Sequence, residues 1–295
     1  DRDMASANAA VREAYRRVKQ LNAILSDYDP DSEMSRLCGK SGPGKPVKVS
    51  PELLDVISRS LRLSRETDGA FDVTVGPIVK LWRKARRKQR LPDPQDLAGA
   101  LTLVGYRSVR VDEKAGTVEF LEPGIELDFG GIAKGYAARE ALQVLRKHGI
   151  SRALVAAAGD IVAGDPPPDR EAWRIGIASL QKPDEAPTQF VALKNASVST
   201  SGDAYQATVV DGVRYSHIVD PKTGIGLTRQ SSVTVIAEDG ASADGLASAV
   251  SVLGPERGLE LVESLKGVEA LFVELREGRE VTFQSTGFGR YELKP

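Results

Sequence analysis

Cysteine and histidine are so scarce in this chain that they restrict both how it can be stabilised and which metals it can hold. The 295 residues include one cysteine, Cys38, and two histidines, His148 and His217. One thiol cannot form an intramolecular disulfide, and these side chains are too few for the usual zinc ligand sets. The fold must therefore rest on a hydrophobic core, for which 41% apolar residues suffice. Any metal should be a hard cation with oxygen ligands.

The charges are almost balanced, which argues against nucleic acid as a partner. Lys and Arg total 40, Asp and Glu total 41, and the formal net charge is −1. Nucleic-acid binders usually have a net basic field, which this chain lacks. No run approaches the roughly 18 apolar residues of a membrane span. Attraction for an anionic ligand would have to be local.

Hydrophobic periodicity predicts helices in the first ninety residues and a long β-region with further helices after it. The predicted helices cover residues 5–25, 51–66, 75–90, 130–149, 241–254 and 255–265. Predicted strands or hairpins cover residues 108–121, 125–129, 153–164, 173–179, 190–202, 215–220, 231–238 and 268–284. This mixture indicates an α+β fold, with mixed or antiparallel sheets and flanking helices.

Two polar stretches interrupt this pattern. Residues 26–35 (SDYDPDSEMS) are predicted to form a loop. The basic run RKARRKQR at 83–90 closes the third predicted helix. We interpret it as a solvated helix end, where cations complement the helix dipole. An anionic partner is the alternative.

The segment LDFGGIAKGYA at 127–137 joins a predicted strand to a predicted helix. Gly130 and Gly131 permit close backbone approach, and free N–H groups at the helix start, with Lys134, could bind phosphate. The spacing is neither that of a Walker A loop nor that of a dinucleotide-binding GxGxxG. A plain strand-to-helix turn is the alternative. Asp128 before the turn suits contacts to a sugar, ring or amide.

The segment SADGLASAVSVLG at 242–254 places a carboxylate and a hydroxyl on one helix face. Asp244 and Ser248 are four residues apart, so they point the same way. Together they form half of an oxygen-rich Mg²⁺ site. The alternative is that Asp244, near the N-terminus of a helix, satisfies backbone donors.

The segment RYSHIVDPKTG at 214–224 contains His217, which is predicted to lie in a strand leading to a turn at Asp220. His217 is either structural or a proton acceptor for a hydroxyl nucleophile. His148 lies at a predicted helix end, where it would complement the helix dipole.

Six segments, in order, resemble the FAD:protein FMN transferase (ApbE-type) family. They are LSDYDPDSEMSRL (25–37), DGAFDVTVGPIVKLW (68–82), ELDFGGIAKGYA (126–137), SVSTSGD (197–203), YSHIVDPKTG (215–224) and SADGLASAVSVLG (242–254). The resemblance implies an ApbE-like, T-fold-related architecture in a single flavin transferase domain over residues 1–295. Family members begin with a strand containing a Met-Gly-Thr turn, which we expect to be missing here.

The resemblance also implies an enzyme. It would transfer FMN from FAD to a Thr or Ser hydroxyl of a partner flavoprotein, forming a phosphoester with the help of Mg²⁺. The implied metal ligands are the Gly131 carbonyl, Asp244 and Ser248, and His217 is the implied base. The implied flavin contacts are Tyr28, Ala70, Phe71, Asp72, Asp128, Lys134 and Ile218. Ser201 and Gly202 would line the same cleft.

Two alternatives to transfer remain: a Mg²⁺-dependent FAD pyrophosphatase that releases FMN and AMP, and a non-catalytic flavin-binding protein. Ser248 stands where the family usually has Thr, which keeps the hydroxyl. Arg139 replaces a usual acid, which affects a local salt bridge. By resemblance, the protein is expected in the periplasm, often as a membrane-anchored lipoprotein. Cys38, predicted to lie in a loop, is not expected to carry the lipid.

Overall fold

A computed structural model describes residues 4–202 and 207–293. The chain divides into two compact units. Unit 1 comprises residues 1–20, 132–204 and 231–295, and unit 2 comprises residues 21–131 and 205–230. Asp203 of the SVSTSGD segment lies outside the described residues. Within the described ranges, no helix combines the length and the apolar character that crossing a membrane requires.

The described residues contain eight α-helices. They are α1 (Met4–Leu25), α2 (Glu33–Lys40), α3 (Pro51–Glu66), α4 (Gly76–Lys88), α5 (Pro94–Leu101), α6 (Ala133–Lys147), α7 (Gly240–Leu253) and α8 (Pro255–Ser264).

The same residues contain fourteen strands. They are β1 (Val47–Lys48), β2 (Val109–Asp112), β3 (Thr117–Phe120), β4 (Leu154–Ala157), β5 (Asp160–Ala163), β6 (Trp173–Ile177), β7 (Gln189–Leu193), β8 (Ser197–Gly202), β9 (Ala207–Val210), β10 (Val213–Ser216), β11 (Ser231–Ala237), β12 (Glu269–Arg276), β13 (Arg279–Gln284) and β14 (Glu292–Leu293).

Unit 1 is built around a six-stranded sheet in the order β13-β12-β11-β8-β5-β4, with antiparallel neighbours throughout. Alternate residues of a strand face opposite sides of its sheet. Val162 of β5 accordingly packs with Ala138 and Leu142 of α6. The next residue, Ala163, joins a separate core with Val191 and other residues of the small β14-β7-β6 sheet. The large sheet of unit 1 is thus covered on both faces.

Unit 2 contains α2 to α5, a three-stranded sheet in the order β1-β3-β2, and the two-stranded ribbon β9-β10. One of its cores forms around Trp82 of α4, which packs with Ile78 and Ala100 and with Val219 of the segment after β10. The indole N–H of Trp82 donates to the carbonyl of Gly224 at 2.8 Å. This core therefore fastens the segment after β10 to α4.

The helices and antiparallel sheets fit the α+β prediction, and most predicted elements are present. Ser50 caps α3 by accepting from the backbone N–H of Leu53, and Gly149 follows α6 with a positive φ of 71°. The 153–164 region is a β4-β5 hairpin that turns at Ala158 and Gly159.

Several predicted details are wrong. Residues 125–129 are not a strand, because they pair with no neighbouring strand in the described structure, although the Asp128 N–H donates to the Val73 carbonyl. The predicted 26–35 loop ends early, since Ser32 caps α2, which includes Cys38. Helix α5 was not predicted, although Asp93 and Pro94 form an N-cap and first-turn pair at its start. His217 follows strand β10, which ends at Ser216.

Candidate functional site

A glycine pair in unit 1 brings the starts of α6 and α7 together. A Cβ on Gly135 would lie 2.0 Å from the carbonyl oxygen of Gly240, and a Cβ on Gly240 would lie 2.4 Å from that of Gly135. No side chain fits at these distances, so the approach requires glycine at both positions. The approach places Lys134 of α6 beside Asp244 of α7.

Lys134 is held between two buried carboxylates. Its Nζ lies 3.1 and 3.2 Å from the two carboxylate oxygens of Asp244, and 3.2 Å from Oδ2 of Asp160 at the start of β5. The side chains of Asp244 and Asp160 are only 5% and 3% exposed. Ser199 donates to Oδ1 of Asp160, and the Gly135 N–H donates to Asp244 at 3.2 Å. We call the three charged residues Lys134, Asp160 and Asp244 the lysine cluster.

The electrostatics of the lysine cluster follow from burial. Burial raises the pKa of Asp244 to about 6; the Asp160 charge adds to this effect, and Lys134 opposes it. The pKa of Lys134 is raised because the two carboxylates outweigh the effect of its burial. At neutral pH, one cation therefore neutralises part of a two-carboxylate charge.

The donor atoms of this cluster fit a hard cation. Oδ2 of Asp160 is buried near the Lys134 ammonium but receives no aligned hydrogen bond from any described residue. Ser248 lies one turn beyond Asp244 on α7 and is half-buried. Among the described residues, no three His, Cys, Asp or Glu side chains form a metal cage. A cation bound here would thus complete its shell with hydroxyl, carbonyl, substrate or water oxygens, as Mg²⁺ does.

Asp244 accepts a backbone N–H, as the alternative prediction had it, but it does not cap its own helix. Helix α7 is capped by Asp239, which accepts from the backbone N–H of Ser242. Asp244 accepts instead from the first turn of a different helix. Ser201 and Gly202 lie at the end of β8 in the same unit, half-buried and paired with Val233 and Ser232 of β11.

In unit 2, a second cation lies between two carboxylates. Arg83 Nη1 lies 2.5 Å from Oδ2 of Asp27, and Arg83 Nη2 lies 3.3 Å from Oδ2 of Asp128. The Arg83 guanidinium also stacks on the Tyr28 ring, with Cζ 4.3 Å from the ring centroid. Asp128 accepts from the Gly130 N–H at 2.7 Å. The next residue, Gly131, is the last of the first segment of unit 2. We call Arg83, Asp27, Asp128 and Tyr28 the arginine cluster.

Burial raises the pKa of Asp128, and the adjacent Asp27 raises it further, whereas Arg83 lowers it. The pKa of Arg83 is raised, because its two carboxylates outweigh the effect of partial burial. Interpreting the whole basic run as a solvated helix end is therefore wrong for Arg83, although Arg87, Lys88 and Arg90 are exposed.

The Ala70-Phe71-Asp72 triplet forms a buried turn in unit 2. Oδ1 of Asp72 accepts from both the backbone N–H and the hydroxyl of Thr74, and Oδ2 accepts from the Tyr106 N–H at 2.8 Å. The Phe71 N–H donates to the Thr67 hydroxyl. The carboxylate of Asp72 is thus committed to fixing two neighbouring turns.

His217 lies in a tightly closed segment after β10. The Ser216 N–H donates to the Leu227 carbonyl at 2.7 Å, and the Leu227 N–H donates to the Ile218 carbonyl at 2.9 Å. The Ser216 hydroxyl accepts from the Ile218 N–H. His217 is half-buried, and these bonds fix the backbone that carries it. The other histidine, His148, lies at the end of α6 as predicted, where it is the C-cap residue, and its Nε2 is 2.8 Å from Oε2 of Glu13.

The structure thus groups the predicted residues by unit. In unit 1 it brings Lys134 and Asp244 together, and in unit 2 it joins Tyr28 to Asp128 through Arg83. Sequence reasoning missed Asp160, Asp27 and Arg83. A charged residue within the apolar ALVAAAGDIVAG stretch was the available signal for Asp160. Arg139 does form a local salt bridge, with Asp239 at 3.4 Å.

Comparison with known proteins places these observations in a family. The ApbE family profile matches residues 3–272. A Treponema pallidum protein named FAD:protein FMN transferase is 35% identical over 288 residues, which cover 92% of this chain and 79% of that protein. A Klebsiella pneumoniae protein of the same name is 32% identical over 282 residues, covering 94% of this chain and 79% of its own length.

Solved structures agree with the sequence matches. The flavin transferase ApbE from Vibrio cholerae matches with a TM-score of 0.87 and 30% identity, covering 98% of this chain and 91% of that one. The ApbE protein of Thermotoga maritima also has a TM-score of 0.87, at 32% identity, covering 97% of this chain and 92% of its own. With one family profile spanning most of the sequence and the same fold in both structures, this chain belongs to the ApbE family.

Proposed function

We propose that this protein transfers FMN from FAD to a Thr or Ser hydroxyl of a partner flavoprotein, and that it requires Mg²⁺. The observation that carries the proposal is the lysine cluster, in which a cation and two buried carboxylates offer oxygen ligands and positive charge for a pyrophosphate. The names of the curated relatives support the choice of FAD as the substrate.

The proposed reaction exchanges a phosphoanhydride bond of FAD for a phosphoester bond to the acceptor. The acceptor oxygen attacks the FMN phosphorus, the bond from that phosphorus to the bridging oxygen breaks, and AMP leaves. The hydroxyl proton passes to His217, which general-base chemistry requires to be neutral beforehand. Fixing the His217 backbone through Ser216 and Leu227 suits this role, because a base must be held within reach of the proton.

By family resemblance, the metal would be held by the Gly131 carbonyl, the Asp244 carboxylate and the Ser248 hydroxyl. When bound, Mg²⁺ supplies neutralisation of the charge that develops on the phosphoryl oxygens. Lys134 adds a further positive charge for those oxygens, and Asp160 keeps this ammonium in place through its 3.2 Å contact.

Intact mass spectrometry tests the proposal. The protein is incubated with FAD, MgCl₂ and a flavoprotein domain that bears a Thr or Ser flavinylation site, with an EDTA-treated control. We expect the acceptor to gain one FMN while AMP is released. Release of FMN and AMP with no gain in acceptor mass would establish a pyrophosphatase instead. Bound FAD without turnover would establish a flavin-binding protein.

His217→Asn tests the base, with His148→Asn as the matched control. We expect the first variant to lose about 10²- to 10⁴-fold in transfer rate, the usual contribution of a general base. The control should be unaffected. The rates are compared between about pH 6 and pH 9, a range that spans the ordinary histidine pKa. If His217→Asn transferred FMN at the wild-type rate throughout this range, His217 would not be the base.

We also propose a periplasmic location, which the family resemblance implies. Fractionation of cells expressing the full-length gene tests it, and recovery of the protein only with cytoplasmic markers would contradict it.

A further inference from the structure

Arg83 differs from its basic neighbours on α4. Lys84, Arg87 and Lys88 are exposed, as expected for a solvated helix end. The Arg83 side chain is only 26% exposed. It extends from the helix next to the buried Trp82, and all its described polar contacts are with Asp27 and Asp128.

The Arg83 guanidinium uses its edge and its face for different partners. The two terminal nitrogens contact Asp27 and Asp128, one carboxylate each. The central carbon Cζ of the guanidinium lies over the ring of Tyr28, 4.3 Å from its centroid. Arginine is suited to this arrangement because its rigid fork fixes the direction of the hydrogen bonds, while its plane stacks on aromatic rings.

Tyr28 has an unusual position for an aromatic side chain, since it is 78% exposed. An exposed aromatic side chain without packing partners ordinarily samples several rotamers. The contact with Arg83 on one face favours a single orientation of the ring, and its exposure lets a planar ligand approach the other face. The two carboxylates in turn prevent Arg83 from moving, since both are largely buried.

Tyr28 and Asp128 come from distant segments, and the family resemblance assigns both to the flavin. Arg83 contacts both of them. We infer that Arg83 is a positioning residue for flavin binding, which holds the Tyr28 ring and the Asp128 carboxylate in the orientation in which they meet the isoalloxazine. This inference rests on the proposed function, because it takes FAD as the substrate.

The test compares Arg83→Gln, Arg83→Lys and the exposed control Arg87→Gln, which lies one turn further along α4. FAD binding is followed by quenching of flavin fluorescence, and transfer by steady-state kinetics. We expect Arg83→Gln to raise both the Kd and the KM for FAD about tenfold, with kcat changed less than about twofold, because preorganisation of a binding surface acts on affinity. Arg83→Lys should recover about half of this effect on a logarithmic scale, since it keeps the charge and loses the planar stack.

A double-mutant cycle separates positioning from general structural damage. If Arg83 acts through Tyr28, Arg83→Gln should weaken FAD binding much less in a Tyr28→Ala background than in the wild type. Equal effects in both backgrounds would overturn the inference, as would an unchanged Kd or a loss confined to kcat. If Arg83→Gln does not fold, the same cycle is run with Arg83→Lys.

These outcomes are distinct from failure of the proposed function. A wild-type protein that neither binds FAD nor transfers FMN overturns the function and this inference together. A wild-type protein that does both, with Arg83→Gln binding FAD equally well, overturns only the role of Arg83.

Discussion

The lysine cluster of unit 1 and the arginine cluster of unit 2 use the same charges for different purposes. Each holds one cation between two largely buried carboxylates. Lys134 offers a compact ammonium with 44% of its side chain exposed, whereas the planar guanidinium of Arg83 also covers an aromatic face. An ammonium makes no demand on the plane of its partners, so it can be exchanged for another cation. A guanidinium fixes its partners geometrically.

This difference teaches that a buried ion pair cannot be interpreted from its charges alone. In the described structure, Oδ2 of Asp160 in the lysine cluster pairs with the Lys134 ammonium but accepts no aligned hydrogen bond, so it can still accept one from a ligand. The arginine cluster uses its hydrogen bonds to hold an exposed ring. We therefore expect variants of the first to change chemistry and metal response, and variants of the second to change FAD affinity.

Asp244→Asn should produce the largest loss of activity. If it changed FAD affinity instead of the transfer rate, the proposed difference between the lysine cluster and the arginine cluster would be wrong. The substitution keeps the shape of the side chain but removes the charge that a metal requires, so kcat for transfer should fall by about 10³-fold. Steady-state kinetics at saturating MgCl₂ measure it, with the exposed Asp169→Asn as control. A normal kcat with only a raised KM for FAD would place Asp244 in the binding role.

Gly135→Ala should be the variant that costs the most folding stability. The new methyl group would lie 2.0 Å from the Gly240 carbonyl, so α6 and α7 must separate, at a cost of about 3 kcal/mol. Urea unfolding measures this, with Gly99→Ala of α5 as control. A Cβ at Gly99 meets nothing within 4 Å, so alanine there should stabilise by about 0.5–1 kcal/mol. Equal stability of the two variants would refute the close helix contact.

Lys134→Gln should destabilise the protein by about 2 kcal/mol without divalent metal. Removal of a partner leaves two buried carboxylates facing each other, although partial exposure of Lys134 reduces the penalty. Added MgCl₂ should restore more of the melting temperature than it does in the wild type, with the exposed Lys147→Gln as control. An identical Mg²⁺ response in all three proteins would show that Lys134 is not an exchangeable cation.

The smallest predicted effect concerns Cys38 and sharpens the picture of unit 2. Burial raises the pKa of its thiol above the ordinary 9.0, and the Leu127 N–H donates to its sulfur. A raised thiol pKa contributes stability below pH 9 that is lost as pH rises through the native value. At pH 8, labelling with a disulfide reagent should be about tenfold slower in the native protein than in urea. Equal rates would show that unit 2 opens readily around α2.

Much of this structure could be predicted because local signals agreed with it. Ser50 with Pro51 marked the start of α3, and the helix after Gly131 was marked by the glycines at its entry together with Gly149. The prediction of a strand at 125–129 was wrong because the sequence pattern indicates an extended chain but not the neighbouring strand with which it would pair. Helix α5 was missed because it has only eight residues, too few for a clear helical pattern.

The site residues likewise fall into those that local spacing predicted and those that it could not. The identity of Asp244 and Ser248 as a same-face pair follows from helical spacing, which the structure bears out by placing both on α7. Asp160 and Arg83 acquire their positions from residues far away in the chain, so spacing could not reveal them. Arg83 was obscured further by the basic residues that follow it on α4, of which Lys84, Arg87 and Lys88 are exposed.

The contact between Gly135 and Gly240 has an evolutionary consequence. A side chain at either position would strike the backbone of the other, so a change at one cannot be compensated by a change at the other unless the helices themselves move apart. In a saturation library selected for a folded protein, both positions should retain glycine almost exclusively. A single contact between two backbones would then determine the residue type at two positions far apart in the sequence.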